Sequence, residues 1–336
     1  MKKLIINLSV LFFVLAVVSS FSGYALAQKQ VSVGGATVGT SPYVFAVGFS
    51  TLANKYCPEY RFMVQATGGS TENIKLLNQK EMDIGMITPG VLTAAKQGTR
   101  WFKDLKDSKK ERYDNIRGIL VYFFGALHFV VKDDSPIHTM YDVKGKRVAL
   151  GAPGSPAGLM SISILEAHGL KKNVDYRGIE VDASSASQAW QDGMVDLWCI
   201  YSEIPGGLVA NATALNKFRL VPLEDENAIR RLRDNRVLSV EEGTLLTSIE
   251  PGAYPTLVDK KAVPQFATLS GFNANKDVGE ETVYCFTKAI FDHLEEFYKN
   301  VGPTGKFVNL KEALNGMVVP LHPGAAKYFR EKGIIK

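Results

Sequence analysis

The sequence predicts an α/β fold with two domains. Apolar, β-prone segments alternate along the chain with helical segments of about ten residues, which is typical of parallel sheets covered by helices. The same order of strand, turn and helix recurs in both halves of the chain. Without its first 27 residues the chain has 309 residues, more than one comfortable core holds, so we expect two domains.

The first half of the chain supplies three predicted strands and the helices that follow them. The strands are predicted over 31–36, 60–67 and 82–88, and the helices over 42–56 and 70–80. Ser70 is expected to cap the second helix, and Pro89 suits the first turn of a third. The charged, irregular segment 101–115 predicts a surface excursion.

The run 116–132 is long, apolar and β-prone, so we expect it to pass from one domain into the next. The pattern then repeats, with strands predicted over 146–152, 179–181, 195–201 and 218–223, and helices over 156–168 and 184–191. From 224 onward the chain is predicted to be mainly helical, with one strand over 263–272 and a long helix over 278–299. We assign 28–121 with 224–336 to a first lobe and 122–223 to a second.

The N-terminus has the three-part layout of a secretory signal peptide. Two lysines precede an apolar run over 4–18, and a polar stretch ends in Ala25 and Ala27. We expect cleavage after Ala27 and release into the periplasm. A retained membrane helix is the alternative, but the apolar run has about 15 residues, whereas a bilayer span needs about 20.

Charge and cysteine content narrow the function class. Removal of 1–27 leaves 37 basic and 34 acidic residues, a balance too weak to indicate nucleic-acid or membrane-surface binding. Cys57, Cys199 and Cys285 form no CxxC pair. An oxidising compartment permits one disulfide among them. We favour the alternative interpretation, in which all three cysteines are small, partly buried hydrophobic residues.

Four glycine- and hydroxyl-rich turns follow predicted strands, at 34–43, 67–73, 88–90 and 151–158. In parallel α/β sheets the pocket lies beyond the carboxyl ends of the strands, where helix N-termini offer free N–H groups to anions. Helix capping explains any single turn, whereas four across two domains favour a shared cleft. Tyr201 and Glu203 follow a strand of the second lobe. Trp190 and Trp198 are expected in the core.

No motif of a known catalytic class is present. The sequence lacks HExxH, GxSxG, GxxxxGK and GxGxxG, and its five histidines have no metal-ligand spacing. We therefore predict a binding protein without enzyme activity, cofactor or metal. A secreted hydrolase with a triad built from distant residues stays open as an alternative.

The order and spacing of several motifs resemble the TAXI family, the periplasmic receptors of one branch of the tripartite ATP-independent (TRAP) transporters. The resemblance covers nearly the whole mature chain. It rests on a glycine-rich turn ending in Tyr43, on Thr-Gly-Gly-Ser-x-Glu-Asn, and on Lys-Gly-Lys-Arg-Val-x-Leu-Gly-Ala-Pro-Gly-Ser. The matching segments, with three further ones, are 33–43, 67–73, 144–155, 81–85, 251–255 and 321–325.

The resemblance implies a type II periplasmic-binding-protein fold, in which two α/β lobes joined by crossing strands close on a ligand. It also implies a receptor that delivers glutamate or a similar carboxylate to TRAP membrane subunits. The family often has Gly-Ser-Gly-Thr where this chain has Gly-Ser-Pro-Ala at 154–157, and Gln-Ser-Asp where it has Thr-Pro-Gly at 88–90. Both departures lie where ligand contacts are expected, so the resemblance does not fix glutamate as the ligand.

We therefore expect a monomer that binds a small organic acid or amino acid by hinge closure. A sensor module that presents its ligand to a signalling receptor is the alternative with the same pocket. Capping or core packing is the alternative role for each candidate residue. The expected ligand contacts are Thr37, Gly39, Thr40, Tyr43, Gly69, Ser70, Thr88, Gly154, Ser155, Tyr201, Glu203 and Tyr254.

Overall fold

The structure is a computed structural model that describes residues 28–99, 102, 113–239 and 243–336. The predicted signal peptide and most of the predicted surface excursion over 101–115 lie outside these residues. Among the described helices, none combines the length and the apolar character needed to cross a bilayer.

The strands alternate with helices as predicted. The strands are β1 (Lys29–Gly34), β2 (Tyr60–Gln65), β3 (Ile84–Ile87), β4 (Ile116–Lys132), β5 (Arg147–Ala149), β6 (Arg177–Ile179), β7 (Leu197–Ser202), β8 (Phe218–Leu220), β9 (Thr244–Ile249) and β10 (Val263–Asn275). The α-helices are α1 (Ser41–Tyr56), α2 (Ser70–Gln79), α3 (Pro89–Gln97), α4 (Pro156–Ala167), α5 (Ala183–Gln191), α6 (Gly207–Thr213), α7 (Glu226–Asp234), α8 (Glu280–Phe291), α9 (Leu294–Val301) and α10 (Pro323–Glu331). Short 3₁₀ helices cover Met140–Val143 and Pro303–Phe307.

The strands join edge to edge in the order β2-β1-β3-β10-β4-β7-β5-β6, with β8 added to β4 and β9 added to β10. The pairs among β1, β2 and β3 are parallel, and so are those of β5 with β6 and β7. The long strands β4 and β10 are antiparallel to each other and lie between the two parallel groups. Two α/β lobes joined by crossing strands are therefore present, and the predicted fold class is confirmed.

The crossing strands bend where they pass between the lobes. The register of β10 against β4 shifts between Thr268 and Leu269, opposite Gly125, which has φ +138°. A Cβ atom at Gly125 would collide with the backbone carbonyl of Ser202 in β7. Only glycine combines this backbone conformation with such a close approach, so the crossing point depends on it.

Both faces of the sheet in the second lobe are buried, as alternate residues of β7 show. Leu197, Cys199 and Tyr201 face a large apolar cluster that continues through the first lobe. Trp198 faces a second cluster together with Trp190, and both tryptophans are fully buried. The prediction that they belong to the core is confirmed.

The limits of the two lobes stay predictions. The strand β9 and the segment that follows it pack with the second lobe, because Ile249, Tyr254 and Val263 belong to its cluster. The side chain of Arg231 in α7 also donates to the Ala167 carbonyl at the end of α4, 2.6 Å away. These contacts attach parts of 224–336 to the second lobe, although the predicted boundary assigns them to the first.

Two predictions of secondary structure in this C-terminal part are wrong. The helix expected over 278–299 is two helices, because His293 leaves the helical conformation (φ −129°, ψ 34°) and its ring stacks on Tyr56 at 3.5 Å. This break turns α9 so that Phe297 packs on Phe49 of α1. The strand β9 was not predicted. It is mostly half-buried, so its sequence shows neither the helical period of 3.6 residues nor the strand period of two clearly.

The interpretation of the cysteines is also corrected. Cys57 and Cys285 form a disulfide that links the end of α1 to α8, with Cα atoms 6.1 Å apart. Their separation of 228 residues along the chain hides the fact that α1 and α8 are neighbours in the first lobe. Cys199 is a free, buried thiol, as expected for all three.

Candidate functional site

A cavity of about 60 Å³ lies between the lobes, where three of the four predicted turns meet; the turn at 88–90 does not line it. The first lobe supplies the turns after β1 and β2, and the second lobe supplies the turn after β5 and the end of β7. The cavity is lined by Ala36, Thr37, Thr40, Pro42, Gly68, Gly69, Met86, Phe124, Gly151, Ala152, Ser155, Pro156, Ala157, Ala183, Cys199, Ile200 and Tyr201. One water needs about 10–15 Å³ by this measure, so there is room for a small molecule.

The two lobes touch at one side of this cavity. Thr71 Oγ1, at the start of α2, donates to the Gly154 carbonyl oxygen across the cleft at 2.6 Å. Nearby, a Cβ atom at Gly69 would lie 3.5 Å from Pro156 Cδ, and the φ of +98° at Gly69 also favours glycine. These contacts show the cleft in a closed conformation.

Thr37, Thr40 and Ser155 reach the cavity wall, each from a turn that precedes a helix. Thr40 precedes α1 but does not cap it, because its Oγ1 donates to the Thr37 carbonyl at 2.6 Å. The Thr40 side chain thus leaves the first N–H groups of α1 uncapped. Ser155 caps α4 by accepting from Gly158 N at 3.1 Å, and it lines the cavity as well.

Ser70 and Thr88 lie behind the cavity wall, fully buried. Ser70 is the first residue of α2 and does not cap it, which corrects the predicted capping role; the residue before the helix is Gly69. Ser70 Oγ instead accepts from Thr88 N at 2.9 Å. Asn73 Nδ2 donates to the carbonyls of Gly35 and Met86, at 2.8 and 2.7 Å. This network ties the first three turns together.

Tyr43 and Gly154 also lie outside the residues that line the cavity. A Cβ atom at Gly35 would lie 3.1 Å from Tyr43 Cα, so Tyr43 packs directly against the first turn. Gly154 accepts the hydrogen bond from Thr71 that joins the lobes. Both residues therefore support the turns that form the cleft, but they do not line the cavity.

Tyr254 is buried in the second lobe and holds the loop that carries Glu203. Its hydroxyl accepts from Gly206 N at 2.9 Å and lies 2.8 Å from His128 Nε2. His128 Nδ1 is 2.9 Å from the Ala126 carbonyl, which can only accept, so Nδ1 carries the proton and Nε2 is an acceptor. The Tyr254 hydroxyl hydrogen has two acceptors within reach, which are His128 Nε2 and the Glu203 carbonyl oxygen at 3.0 Å. Burial lowers the pKa of His128 to about 4, so the imidazole is neutral at pH 7.

A second chamber of about 310 Å³ shares Thr40, Ile200 and Tyr201 with the first cavity. Its remaining walls are formed by Gly39, Ser41, Val44, Ser202, Glu203, Pro205, Gly207, Leu208, Val301 and Thr304. Glu203 is only 9% exposed, and Ser202 Oγ donates to its Oε2 at 3.2 Å. The cleft thus has two compartments, and Gly39 and Glu203 belong to the second.

Tyr201 stands between the two compartments and is 5% exposed. Its hydroxyl has no hydrogen-bond partner within the described part of the chain. Burial raises the pKa of this phenol well above its ordinary value, so the hydroxyl stays protonated. A buried hydroxyl without a partner is costly, and a bound molecule could supply one.

Several cavity residues were not predicted because they are apolar. Met86, Phe124, Ala183 and Ile200 line the cavity, and nothing in their residue type distinguishes them from core residues. Cys199 could have been found, because residues two apart on a strand face the same side and Tyr201 was predicted. The cavity walls are mostly apolar and carry no charged side chain.

Within residues 28–99, 102, 113–239 and 243–336, no group of three or more His, Cys, Asp or Glu residues could hold a metal ion. The hydroxyl and thiol side chains in the cavity wall are those of Thr37, Thr40, Ser155, Cys199 and Tyr201. Burial raises the pKa of that thiol to about 12, and Ser155 is engaged as a helix cap. The arrangement is suited to holding a molecule.

Three solved structures with a similar course of the chain are distant from it in sequence. The aliphatic sulphonate binding protein SsuA from Escherichia coli is 17% identical, with a TM-score of 0.44 over 90% of this chain and 84% of that one. DctP7 from Bordetella pertussis, an extracytoplasmic solute receptor binding pyroglutamic acid, is 13% identical, with a TM-score of 0.46 over 91% and 92%. A TRAP periplasmic solute binding protein from Sulfitobacter sp. NAS-14.1, with bound β-D-galacturonate, is 14% identical, with a TM-score of 0.46 over 91% and 96%.

At these identities and TM-scores, none of the three structures bears on the ligand of this chain. The family match begins at residue 33 in β1 and ends at residue 333, just after α10. It therefore includes every turn of the cleft described above. The chain belongs to the NMT1-like family.

Proposed function

We propose that this protein is an extracytoplasmic solute receptor, which binds a small organic acid or amino acid and delivers it to a membrane transporter. The observation that carries the proposal is the cavity between the lobes, into which turns of both lobes converge. The finer assignment to the TAXI branch of the TRAP transporters rests on the motifs at 67–73 and 144–155.

The proposed ligand contacts are those predicted residues that reach the two compartments. Thr37, Thr40, Gly69, Ser155 and Tyr201 would contact the ligand from the first cavity, and Gly39 and Glu203 from the second chamber. The other predicted residues would act indirectly, by holding the turns in place; they are Tyr43, Ser70, Thr88, Gly154 and Tyr254.

The proposed mechanism is hinge closure about β4 and β10. In an open form the turns of each lobe would be exposed to solvent, and a ligand bound to one lobe would gain contacts to the other on closing. The Thr71–Gly154 hydrogen bond forms only when the lobes meet. The closed surface would then be recognised by the membrane subunits.

A periplasmic location and a receptor without enzyme activity are part of the same proposal. The Cys57–Cys285 disulfide is expected where thiols are oxidised, and the sequence over 1–27 would direct export. Among the described residues that line the cavity, there is no histidine, aspartate, glutamate or lysine beside Ser155 or Cys199 to act as a general base. We propose a monomer.

The test is a thermal-shift screen of the mature protein against small metabolites, including glutamate, 2-oxoglutarate and other dicarboxylates. A ligand at 100 times its dissociation constant adds about 2.7 kcal/mol to the free energy of unfolding. Ala183→Trp should abolish this stabilisation by filling the cavity, and Gln188→Trp, at an exposed position on the same helix, should leave it unchanged. Flat curves with every metabolite, and no co-purified ligand by native mass spectrometry, would refute the proposal.

A further inference from the structure

Among the described residues, Glu203 is a buried carboxylate without a cationic partner. It is 9% exposed, and in the described part of the chain its side chain has one hydrogen bond, from Ser202 Oγ. No lysine, arginine or histidine among the described residues lies within ion-pair distance of it, and it is the one charged residue that lines the second chamber.

Such a carboxylate is costly unless an opposite charge accompanies it. The chamber could receive that charge from a bound molecule, because it is large enough for a ligand group and its other polar side chains are the hydroxyls of Thr40, Ser41, Tyr201, Ser202 and Thr304. These groups accept hydrogen bonds from an ammonium. The chamber is thus built for a cationic group.

The first cavity has the opposite character. It is small, mostly apolar and without a charged side chain, so a carboxylate placed deep inside it would have no cation to pair with. Its apolar walls include Met86, Phe124, Pro156 and Cys199. A short apolar group fits this compartment.

We propose that the ligand is an amino acid with a short apolar side chain, whose ammonium group pairs with Glu203. This inference rests on the proposed function, because it assigns the ligand of the same cleft. The side chain would occupy the first cavity. The ligand carboxylate would lie near Thr40, at the uncapped N-terminus of α1, where both compartments meet.

The first experiment compares molecules that differ only in the ammonium group. Binding of alanine, valine and glutamate is measured by calorimetry against that of pyruvate, 3-methyl-2-oxobutanoate and 2-oxoglutarate. We expect alanine or valine to bind at least about 30-fold more tightly than its 2-oxo acid, the lower limit for losing one partner of a buried charge pair. Glutamate should bind more weakly than the apolar amino acids.

The second experiment removes the charge from the protein. Glu203→Gln keeps the shape of the side chain and should weaken binding of the preferred amino acid by about 30-fold or more. Its ligand-free melting temperature should equal or exceed that of the wild type, which shows that the variant is folded. Glu250→Gln, at an exposed glutamate outside both compartments, is the matched control and should bind like the wild type.

The outcomes separate this inference from the proposed function. A 2-oxo acid or dicarboxylate that binds as tightly as the amino acids, or full affinity in Glu203→Gln, overturns the inference and leaves the receptor function standing. If none of the six compounds binds and the co-purified ligand lacks an amine, the inference is likewise overturned and the receptor function stands. If no ligand of any kind is found, both the inference and the proposed function are wrong.

Discussion

Loss of the disulfide between Cys57 and Cys285 should lower thermal stability markedly. The two cysteines are 228 residues apart in sequence, so the bond closes a very long loop that includes the second lobe. The loop-closure relation gives about 5 kcal/mol at 25 °C for a loop of this length. With an unfolding entropy of about 2.1 cal/mol/K per residue, this corresponds to a fall in the melting temperature of about 8 °C.

The assay is differential scanning calorimetry of the ligand-free mature protein and of a Cys57→Ser/Cys285→Ser double variant, each with and without reductant. Reductant should lower the melting temperature of the wild type towards that of the variant. It should have no effect on the variant, which serves as the control for reduction elsewhere. Equal melting temperatures for the oxidised wild type and the variant would refute the claim that this disulfide stabilises the first lobe.

Three further predictions concern the cleft and the crossing strands. Thr71→Val removes the hydrogen bond to Gly154. Because such a bond contributes about 1 kcal/mol net, the variant should bind the ligand about 5-fold more weakly, with a faster dissociation rate in surface plasmon resonance. An unchanged dissociation rate would contradict a role of this bond in closure. Gly125→Ala should lower the free energy of unfolding by at least about 2 kcal/mol in urea titrations, because its φ is positive and Ser202 blocks the Cβ atom; wild-type stability would show that the crossing point tolerates a side chain. The folded-state pKa of His128, about 4, lies below its ordinary value of about 6.5, so its contribution is complete above pH 6.5 and is lost as the pH falls towards 4. Lowering the pH from 7 to 5 should therefore cost about 2 kcal/mol from this residue, and a His128→Gln variant should show a correspondingly shallower loss; equal slopes would contradict a neutral, buried imidazole.

The alternation of strands and helices up to residue 223 could be predicted because apolar segments are separated there by turns rich in glycine, proline and hydroxyl residues. The strand over 116–132 was predicted to its terminal residues, since nearly all of its residues are buried and it contains no breaker except Gly118 and Gly125. The elements after 224 were less predictable. The break at His293 depends on a stacking contact with Tyr56, which is 237 positions away in sequence, and no local period records such a contact.

The site was predictable only in its polar part. Glycine and hydroxyl residues in the turns after strands indicated the cleft, and Thr37, Thr40, Gly69 and Ser155 all line the cavity. The apolar residues that close it have no such signature. The disulfide partners were hidden for the same reason as the stacking contact, because their proximity arises only when the C-terminal part of the chain returns to the first lobe.

The central claim is that one small molecule binds between the lobes. The most direct measurement is a crystal structure of the mature protein with the compound that stabilises it most in the thermal-shift screen. We expect density for that compound in contact with Thr37, Ser155 and Tyr201, with the Thr71–Gly154 hydrogen bond formed. Density for the compound on an outer surface, with this cavity empty, would contradict the account.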